Sequence, residues 1–298
     1  MNGSAAQAAI SQEAFERLLG ALRPKLHRYC ARMTGSVIDG EDVVQDAVIK
    51  ALEAFAAAGP ILQPEGWLFR IAHNAALDFL RRRARQALIH SDEDPDMVAD
   101  LTATTPDYEI AATGLRTFMR LPVGQRSSVI LMDVLGYSLE DVGGVMNATI
   151  PAVKATLHRG RARLRELARE PDDAPIPVLT EAERVLLTAY VDRFNARDVD
   201  AVRAMLAEEV RLDLVARHKV AGRAEVSKYF GNYGKLQDWR LVPGMVDGRA
   251  AALVSDPGAP SGQPSYFVLL DWTTDGLIGI RDFRYARYAI EGADIVTL

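Results

Sequence analysis

Apolar side chains recur every three or four positions through the first 87 residues of the chain. This spacing predicts three long helices: residues 10–33, with Pro24 as the point of a kink; about 40–55, with Asp39 as the N-cap; and 64 to about 86. Further helices are predicted from about residue 108 to 119 and over 123–134. The first part of the chain is therefore expected to be all-α.

Residues 138–167 predict a short helix, a tight turn and a longer helix. Ser138 with Asp141 three residues later resembles a capping box, and Thr149 is a candidate N-cap for the second helix. Pro151 falls in the first turn, where the missing N–H costs little. The second helix has a predicted buried stripe, formed by Val153, Leu157, Leu164 and Leu167.

The pattern changes in the last third of the chain. Helices are predicted over 181–195, 199–207 and 222–229, followed by strands over 239–246, 250–254, 266–272 and 278–288. Asp-Gly pairs at 247–248 and 275–276 are typical of hairpin turns. Helices followed by an antiparallel sheet predict an α+β domain.

Charge is distributed unevenly along the 298 residues. The net charge of −5 divides into +2 for residues 1–90, −7 for 91–112, +4 for 113–170 and −4 for 171–298. The acidic stretch and the Pro-rich residues 170–177 are predicted to be linkers.

No apolar run reaches the roughly 20 residues needed to span a bilayer, and no secretory signal is evident. The lone Cys30 excludes an internal disulfide and a cysteine zinc site. We therefore expect a cytoplasmic protein without a membrane segment, metal or cofactor.

Two helices carry candidate nucleic-acid chemistry. Six bases and one acid give +5 between Thr149 and Arg169, which suits a helix that enters the major groove, although a solvated surface helix is the alternative. The helix from residue 64 has a polar row beside aromatic side chains, as single-stranded DNA requires; a plain amphipathic helix with its aromatics in the core is the alternative. The row consists of Asn74, Asp78, Arg81, Arg82 and Arg85.

The second helix carries the acidic residues Glu41, Asp42, Asp46 and Glu53, a face that is either solvated or docked on a basic protein.

Residues 1–170 resemble a sigma-70 family factor of the extracytoplasmic-function (ECF) type. The motifs are L-H-R-Y-C-A-R-M-T-G, D-G-E-D-V-V-Q-D-A-V-I-K-A and W-L-F-R-I-A-H-N-A-A-L-D-F-L-R-R-R, for region two, and L-P-V-G-Q-R-S-S-V-I-L-M-D-V-L-G-Y-S-L-E-D-V-G-G-V-M-N, for region four. The resemblance implies a non-enzymatic protein that binds the β′ clamp and β flap of core RNA polymerase and promoter DNA.

The resemblance also implies roles for individual residues. Polymerase would bind Glu41, Asp42, Gln45 and Asp46. The polar row of the third helix, with the loop 56–63, would open and read the −10 element. The −35 element would be read by Thr149, Ala152, Lys154, Thr156, His158, Arg159 and Arg161. Pro151 and Ala152 stand where the family usually has Gly-Thr, and Thr156 where it often has Arg.

The last third resembles a SnoaL-like domain, the cone-shaped fold shared with nuclear transport factor 2. The stretches Y-V-D-R-F-N-A-R-D-V-D-A-V, L-A-E-E-V-R-L-D and G-R-A-E-V-S-K-Y-F carry this resemblance. Candidate pocket residues are Tyr229, Trp239 and Asp271, with Asp213 and the surface residue His218. We expect a regulatory domain that contacts the sigma domains; a tethered cyclase, isomerase or ligand sensor is the alternative, and a simple repressor would leave the third helix unexplained.

The predicted organisation is therefore multidomain, with two all-α domains followed by an α+β domain. The expected boundaries are 10–87 for region two, 88–112 for an acidic linker, 113–170 for region four, 171–180 for a second linker and 181–292 for the SnoaL-like domain.

Overall fold

The computed structural model describes residues 10–87, 114–170, 177–233, 240–256 and 263–298. The chain divides into two compact units, residues 1–172 and 173–298, and each is described by itself. The first unit is helical and the second is α+β, so the predicted fold class is confirmed. The predicted acidic linker, the start of the helix expected from residue 108 and most of the second linker lie outside the described residues.

The first unit begins with three long helices: α1 (Gln12–Thr34), α2 (Val37–Ala57) and α3 (Pro64–Ala87). Helix α1 continues through Pro24, so the predicted kink did not end it. The prediction of Asp39 as N-cap was wrong, because Ser36 caps α2 by accepting hydrogen bonds from the N–H groups of Ile38 and Asp39. Gly40 lies against the backbone of α1, where a Cβ would stand 2.6 Å from Ala31. The two helices therefore pack closely at this point.

The remainder of this unit contains α4 (Leu115–Met119), α5 (Val123–Val129), α6 (Leu139–Met146) and α7 (Ile150–Leu167). The expected helix over 123–134 changes character at its end, where Ile130–Val134 forms a π-helical turn. The capping box of Ser138 and Asp141 is confirmed, and Thr149 caps α7. Between α6 and α7, Asn147 takes a left-handed conformation with φ of 52°. The predicted helix–turn–helix is therefore present.

One apolar core extends through both halves of the first unit. It contains residues of α1–α3, such as Tyr29 and Phe69, together with residues of α4–α7, such as Phe118, Val129 and Leu157. The halves are therefore packed together in this structure.

In its described residues, the second unit combines three helices with a seven-stranded sheet. The helices are α8 (Glu181–Asn195), α9 (Val199–Ala204) and α10 (Arg223–Tyr233). The strands are β1 (Leu206–Leu214), β2 (His218–Ala221), β3 (Arg240–Val246), β4 (Arg249–Ser255), β5 (Tyr266–Thr273), β6 (Gly276–Asp282) and β7 (Ile295–Thr297). Their order is β2-β1-β6-β5-β4-β3-β7.

The sheet differs from the expected one in several respects. Four strands were expected, and β1, β2 and β7 lie where no strand was expected. Residues 206–207 begin β1 rather than end a helix, and β1 pairs with β6 in parallel, so the sheet is mixed and not purely antiparallel. Strand β6 ends at Asp282, and a 3₁₀ turn, Arg287–Ile290, occupies the end of the expected strand 278–288. The Asp247-Gly248 turn between β3 and β4 is confirmed, with positive φ at both residues.

Candidate nucleic-acid interface

Helix α7 presents one buried face and one polar face. The apolar stripe of Val153, Leu157, Leu164 and Leu167 is buried, as predicted. On the other side, Thr149 and Ala152 are exposed. Lys154, Thr156, His158 and Arg159 are half-buried. These six residues keep part of their surface accessible, which a contact to DNA requires.

Arg161 does not belong to this surface. Its side chain is 4% exposed, and its guanidinium makes a two-bond ion pair with the fully buried carboxylate of Asp133, with Nε 3.0 Å from Oδ2 and Nη2 2.5 Å from Oδ1. The prediction that Arg161 contacts DNA is therefore wrong, because its guanidinium is paired with Asp133 inside the unit. Between Thr149 and Arg169, five bases and one acid remain outside, giving +4.

The start of α7 offers apolar as well as polar groups. Ile150 is 36% exposed, although the sequence pattern did not single it out. The Thr156 hydroxyl donates to the carbonyl oxygens of Ala152 and Val153, at 3.1 and 2.9 Å. Its hydrogen is thus engaged within the helix, and the methyl group and the oxygen lone pairs are what it can offer a base edge.

The polar row of α3 faces outward. All five of its residues are exposed: Asn74, Asp78, Arg81, Arg82 and Arg85. Asp78 pairs with Arg81 at 3.1 Å, and Arg82 reaches Asp46 of α2 at 3.5 Å. This last pair brings a predicted −10 residue next to a predicted polymerase-binding residue.

The aromatic side chains of α3 belong mainly to the packed interior. Phe69 is fully buried, and Trp67 lies 5.9 Å, centroid to centroid, from the buried Phe15. Phe79 is partly buried against the core. The observed arrangement is thus a polar row on an otherwise packed helix, which is the alternative that the sequence left open for the aromatics.

The acidic face of α2 is smaller than expected. Glu41 is 0% exposed and forms an ion pair with Arg23 of α1, so it cannot meet a partner and that assignment was wrong. Asp42 and Asp46 are exposed, and Gln45 is half-buried. Glu53 of the same face is exposed as well, so only Glu41 is lost from it.

Arg126 of α5 joins the two halves of the first unit. Its Nη1 donates to the carbonyl oxygen of Met33 at 2.6 Å, and its Nη2 donates to those of Met119 and Leu121 at 3.1 and 2.9 Å. Burial lowers the pKa of Arg126 to about 10, so the guanidinium remains charged at neutral pH. One cation thus satisfies carbonyl groups from both halves.

A second polar group at the same junction contains three buried side chains. The Tyr29 hydroxyl lies 2.7 Å from Nδ1 of His73 and 3.2 Å from the Ser127 hydroxyl, which comes from α5. Burial lowers the pKa of His73 to about 4, with a further contribution from Arg81, and burial raises the pKa of Tyr29. The imidazole is therefore neutral at physiological pH.

A third junction lies nearer the helix–turn–helix. Lys25 Nζ is 2.7 Å from Glu65 and 4.1 Å from the centroid of the Tyr137 ring, while the Tyr137 hydroxyl donates to Glu65 at 2.5 Å. Burial alone would raise the pKa of Glu65, but the hydrogen bonds from Lys25 and Tyr137 outweigh it and the net shift is downward. Glu65 thus holds its charge and binds Tyr137 to α3.

A cleft of about 480 Å³ separates the α2–α3 loop from α6. Because α2 continues to Ala57, the loop expected over 56–63 begins at Ala58. Its exposed Leu62 lines the cleft together with Trp67, Arg70, Glu140 and Asp141. The loop expected to read the −10 element therefore faces the first helix of the helix–turn–helix.

The predicted pocket residues of the second unit do not come together. The Tyr229 hydroxyl donates to Asp282 at 2.6 Å, whereas Asp271 forms a half-exposed ion pair with Arg249 at 3.1 Å. Trp239 lies outside the described residues. His218 is exposed, as expected, and Asp213 pairs with Lys219 and Arg281.

Asp282 is a buried acid of this unit that the sequence did not reveal. It is 0% exposed and accepts hydrogen bonds from the Tyr229 hydroxyl and, at 2.8 Å, from the N–H of Arg284. Within the described ranges, no group of three or more His, Cys, Asp or Glu side chains is placed to hold a metal ion. In the same ranges, no helix has the length and hydrophobicity of a membrane-spanning segment.

Comparison with known proteins gives the family. Residues 18–86 match the model for Sigma-70 region 2, residues 115–164 that for Sigma-70, region 4, and residues 187–296 that for the SnoaL-like domain. The chain is 36% identical over 163 residues to the ECF RNA polymerase sigma factor SigM of Mycobacterium tuberculosis (strain H37Rv), covering 55% of this chain and 81% of that protein. It is 26% identical over 170 residues to SigW of Bacillus subtilis (strain 168), covering 53% and 91%.

Among solved structures, the chain is similar to the extracytoplasmic function sigma factor SigJ of M. tuberculosis. The identity is 19% and the TM-score 0.36, over 90% of this chain and 95% of that one. With the region 2 and region 4 matches and the similarity to SigM, the chain belongs to the extracytoplasmic-function sigma factors of the sigma-70 family, which recognise promoters and start transcription.

Proposed function

We propose that the first unit binds promoter DNA at two separate places and core RNA polymerase at a third. The observation that supports this most strongly is the presence, in one unit, of a basic helix–turn–helix and of a second helix with an outward polar row. A protein that only reads duplex DNA through α7 would not require the polar row on α3.

For the −35 element we assign Thr149, Ala152, Lys154, Thr156, His158 and Arg159, all on or next to the first half of α7. Side chains at the N-terminal part of a recognition helix meet base edges, and the cations meet phosphates. Arg161 is left out because it pairs with Asp133.

The row on α3 would act on the −10 element. Its exposed residues, Asn74, Asp78, Arg81, Arg82 and Arg85, combine cations for phosphates with amide and carboxylate groups that can bind unpaired bases. Asp42, Gln45 and Asp46 of α2 would bind a basic surface on the β′ clamp, while region four would meet the β flap.

The two DNA surfaces must move apart before both can be used. Elements near −10 and −35 are about 25 base pairs apart, or about 85 Å of B-DNA. Helix α7 is only about 27 Å long, and α6 packs directly on α3. The 26 residues from 88 to 113 can span at most about 90 Å when extended, which is just sufficient. We therefore propose that the packed arrangement precedes promoter binding.

We assign the second unit a regulatory role without covalent chemistry, exerted through contact with the sigma domains in the cytoplasm, where polymerase acts. Asp213 and Asp271 are held in ion pairs, and Asp282 is held by Tyr229 and a backbone N–H. If the role is regulatory, a chain ending at residue 170 will differ from the full chain in promoter output. Equal output would contradict it.

Transcription by reconstituted holoenzyme tests the proposal. Core polymerase with the full chain should give promoter-specific run-off transcripts on fragmented genomic DNA, and core alone should not. Asn74→Ala with Arg81→Ala should abolish the transcripts while polymerase still binds, whereas Glu13→Ala with Arg17→Ala, a matched exposed pair on α1, should leave them unchanged. Failure of the full chain to bind core polymerase would overturn the proposal.

A further inference from the structure

Two basic segments of the second unit meet at one end of its sheet. Strand β1 pairs in parallel with β6, and Leu214 lies opposite Asp282. The pairing continues beyond the strands, because the N–H of Val215 donates to the carbonyl oxygen of Asp282 at 3.0 Å. Residues 211–219 and 281–287 are thus neighbours, although about 70 residues of sequence separate them.

These segments reverse the charge of the unit that carries them. They contain six bases and two acids, a net +4, whereas residues 171–298 as a whole carry −4. Both acids interact within the unit. Asp282 is fully buried, and Asp213 lies 3.4 Å from Lys219 and 3.6 Å from Arg281. Asp256, outside both segments, pairs with Arg287 at 3.1 Å. Six bases against these three acids leave this end of the sheet with a net charge of +3.

An exposed aromatic ring lies among the cations. Tyr285 is 43% exposed, and the guanidinium carbon of Arg217 stands 4.3 Å from its ring centroid. Arg284 approaches the same ring at 5.9 Å. His218 and Lys219, both exposed, follow Arg217 directly in the chain.

The turn that presents Arg217 is strained. Ala216 has φ of 66°, a left-handed conformation that costs an alanine about 1–2 kcal/mol, and the turn is closed by the N–H of Arg217 donating to Leu214 at 2.8 Å. A three-residue hairpin loop such as 215–217 commonly contains one residue in this conformation. Ala216 thus makes the sharp reversal between β1 and β2 that presents Arg217.

We propose that the basic-aromatic surface formed by Arg217, Arg284 and Tyr285, with Lys219 beside it, binds the phosphodiester backbone of nucleic acid. Guanidinium and ammonium groups neutralise phosphates, and an exposed ring beside arginine accepts a stacked base. An acidic protein could also use the cations and the ring, so the crosslinking experiment below makes that partner an outcome of the test. The chain then has a DNA contact outside its two sigma regions, and this contact does not depend on promoter sequence.

Salt-dependent binding by the full chain tests the surface. The probe is a fluorescein-labelled 20-nucleotide DNA without promoter sequence, used as single strand and as duplex. Arg217→Glu with Lys219→Glu should weaken binding several-fold and reduce the slope of log K against log salt by about 1–2. The control, Arg184→Glu with Arg193→Glu, changes the charge equally at exposed positions of α8 and should match the parent chain. If both double variants behave alike, the surface does not bind nucleic acid. Arg217→Gln with Lys219→Gln gives the same test with a smaller charge change, should the glutamates unfold the unit.

Crosslinking separates nucleic acid from protein as the partner. With p-benzoylphenylalanine in place of Tyr285, irradiation of the holoenzyme on promoter DNA should give a protein–DNA adduct. An adduct with polymerase subunits alone would overturn the proposal in favour of an acidic protein partner. Both experiments can fail while promoter-specific transcription persists, so they are independent of the sigma assignment.

Discussion

The Tyr29 hydroxyl of α1 lies 3.2 Å from the Ser127 hydroxyl of α5, and the two residues are 98 positions apart in sequence. This contact, with His73 at 2.7 Å from the same tyrosine oxygen, lies at the boundary between the two promoter-binding halves. Separation of the halves would remove the Ser127 hydroxyl from Tyr29 and His73. The polar junction is therefore a place where solution conditions can bias the packed state.

Acidification should loosen the packed state through His73. In the packed state its pKa is about 4, below the ordinary 6.5, so the stability that it contributes is present above pH 6.5 and is lost as the pH falls toward 4. Between pH 7.5 and pH 5 the loss should be about 2 kcal/mol. Urea unfolding at both pH values measures it, with His73→Gln as the control that removes this part of the pH dependence. The same pH dependence in both chains would refute the role of His73.

Loss of Arg161 should impair folding rather than DNA recognition. Arg161→Ala leaves the buried Asp133 carboxylate without its guanidinium partner, which typically costs about 3–5 kcal/mol. Arg161→Met with Asp133→Leu removes both charges and should recover most of that stability. Urea unfolding gives the stability, and fluorescence anisotropy with promoter duplex gives the affinity.

The matched variant is Lys154→Ala, which lies on the accessible face of α7. It should lower affinity for promoter duplex several-fold at nearly constant stability. Should the folded Arg161→Met, Asp133→Leu chain bind DNA as weakly as Lys154→Ala does, Arg161 would be a DNA contact after all.

Two glycines of the helix–turn–helix should respond oppositely to alanine. A Cβ on Gly160 would stand 2.7 Å from Val129 and 3.1 Å from the carbonyl oxygen of Gln125, where α7 crosses α5, so Gly160→Ala should cost about 1–3 kcal/mol. A Cβ on Gly144 meets nothing within 4 Å, so Gly144→Ala in α6 should add about 0.5–1 kcal/mol. Thermal unfolding of both variants checks the pair, and equal effects would show that α7 does not pack closely on α5.

Local features of the first unit were readable from sequence. The Ser138–Asp141 capping box and the Thr149 cap depend on residues within one turn, and the buried stripe of α7 follows from helical spacing alone. Arg161 and Glu41 were misassigned because their burial depends on Asp133 and Arg23, which are distant in sequence. Spacing shows which face of a helix is polar, but it does not show which charge meets a buried partner.

The second unit shows the same limit for strands. Residues 206–207 continue an Ala- and Glu-rich helical pattern, yet they begin β1, whose parallel pairing with β6 is a long-range contact that overrides local propensity. Asp282 reads as an ordinary polar strand residue and is buried only because Tyr229 and the N–H of Arg284 satisfy it. The domain boundaries and the remaining site residues stay predictions.

The distance between the two halves of the first unit tests the central claim most directly. Nitroxide labels on Ala54→Cys in α2 and Ala168→Cys after α7 occupy exposed positions, and Cys30 is buried with a raised pKa, which leaves it unreactive. Pulsed electron–electron double resonance should give a short distance between the labels in the free chain. In the holoenzyme on promoter DNA the distance should be longer by tens of ångströms, toward the roughly 85 Å between the two elements. If the distance is unchanged in complexes that still make transcript, the halves do not separate on promoter binding, and the account is contradicted.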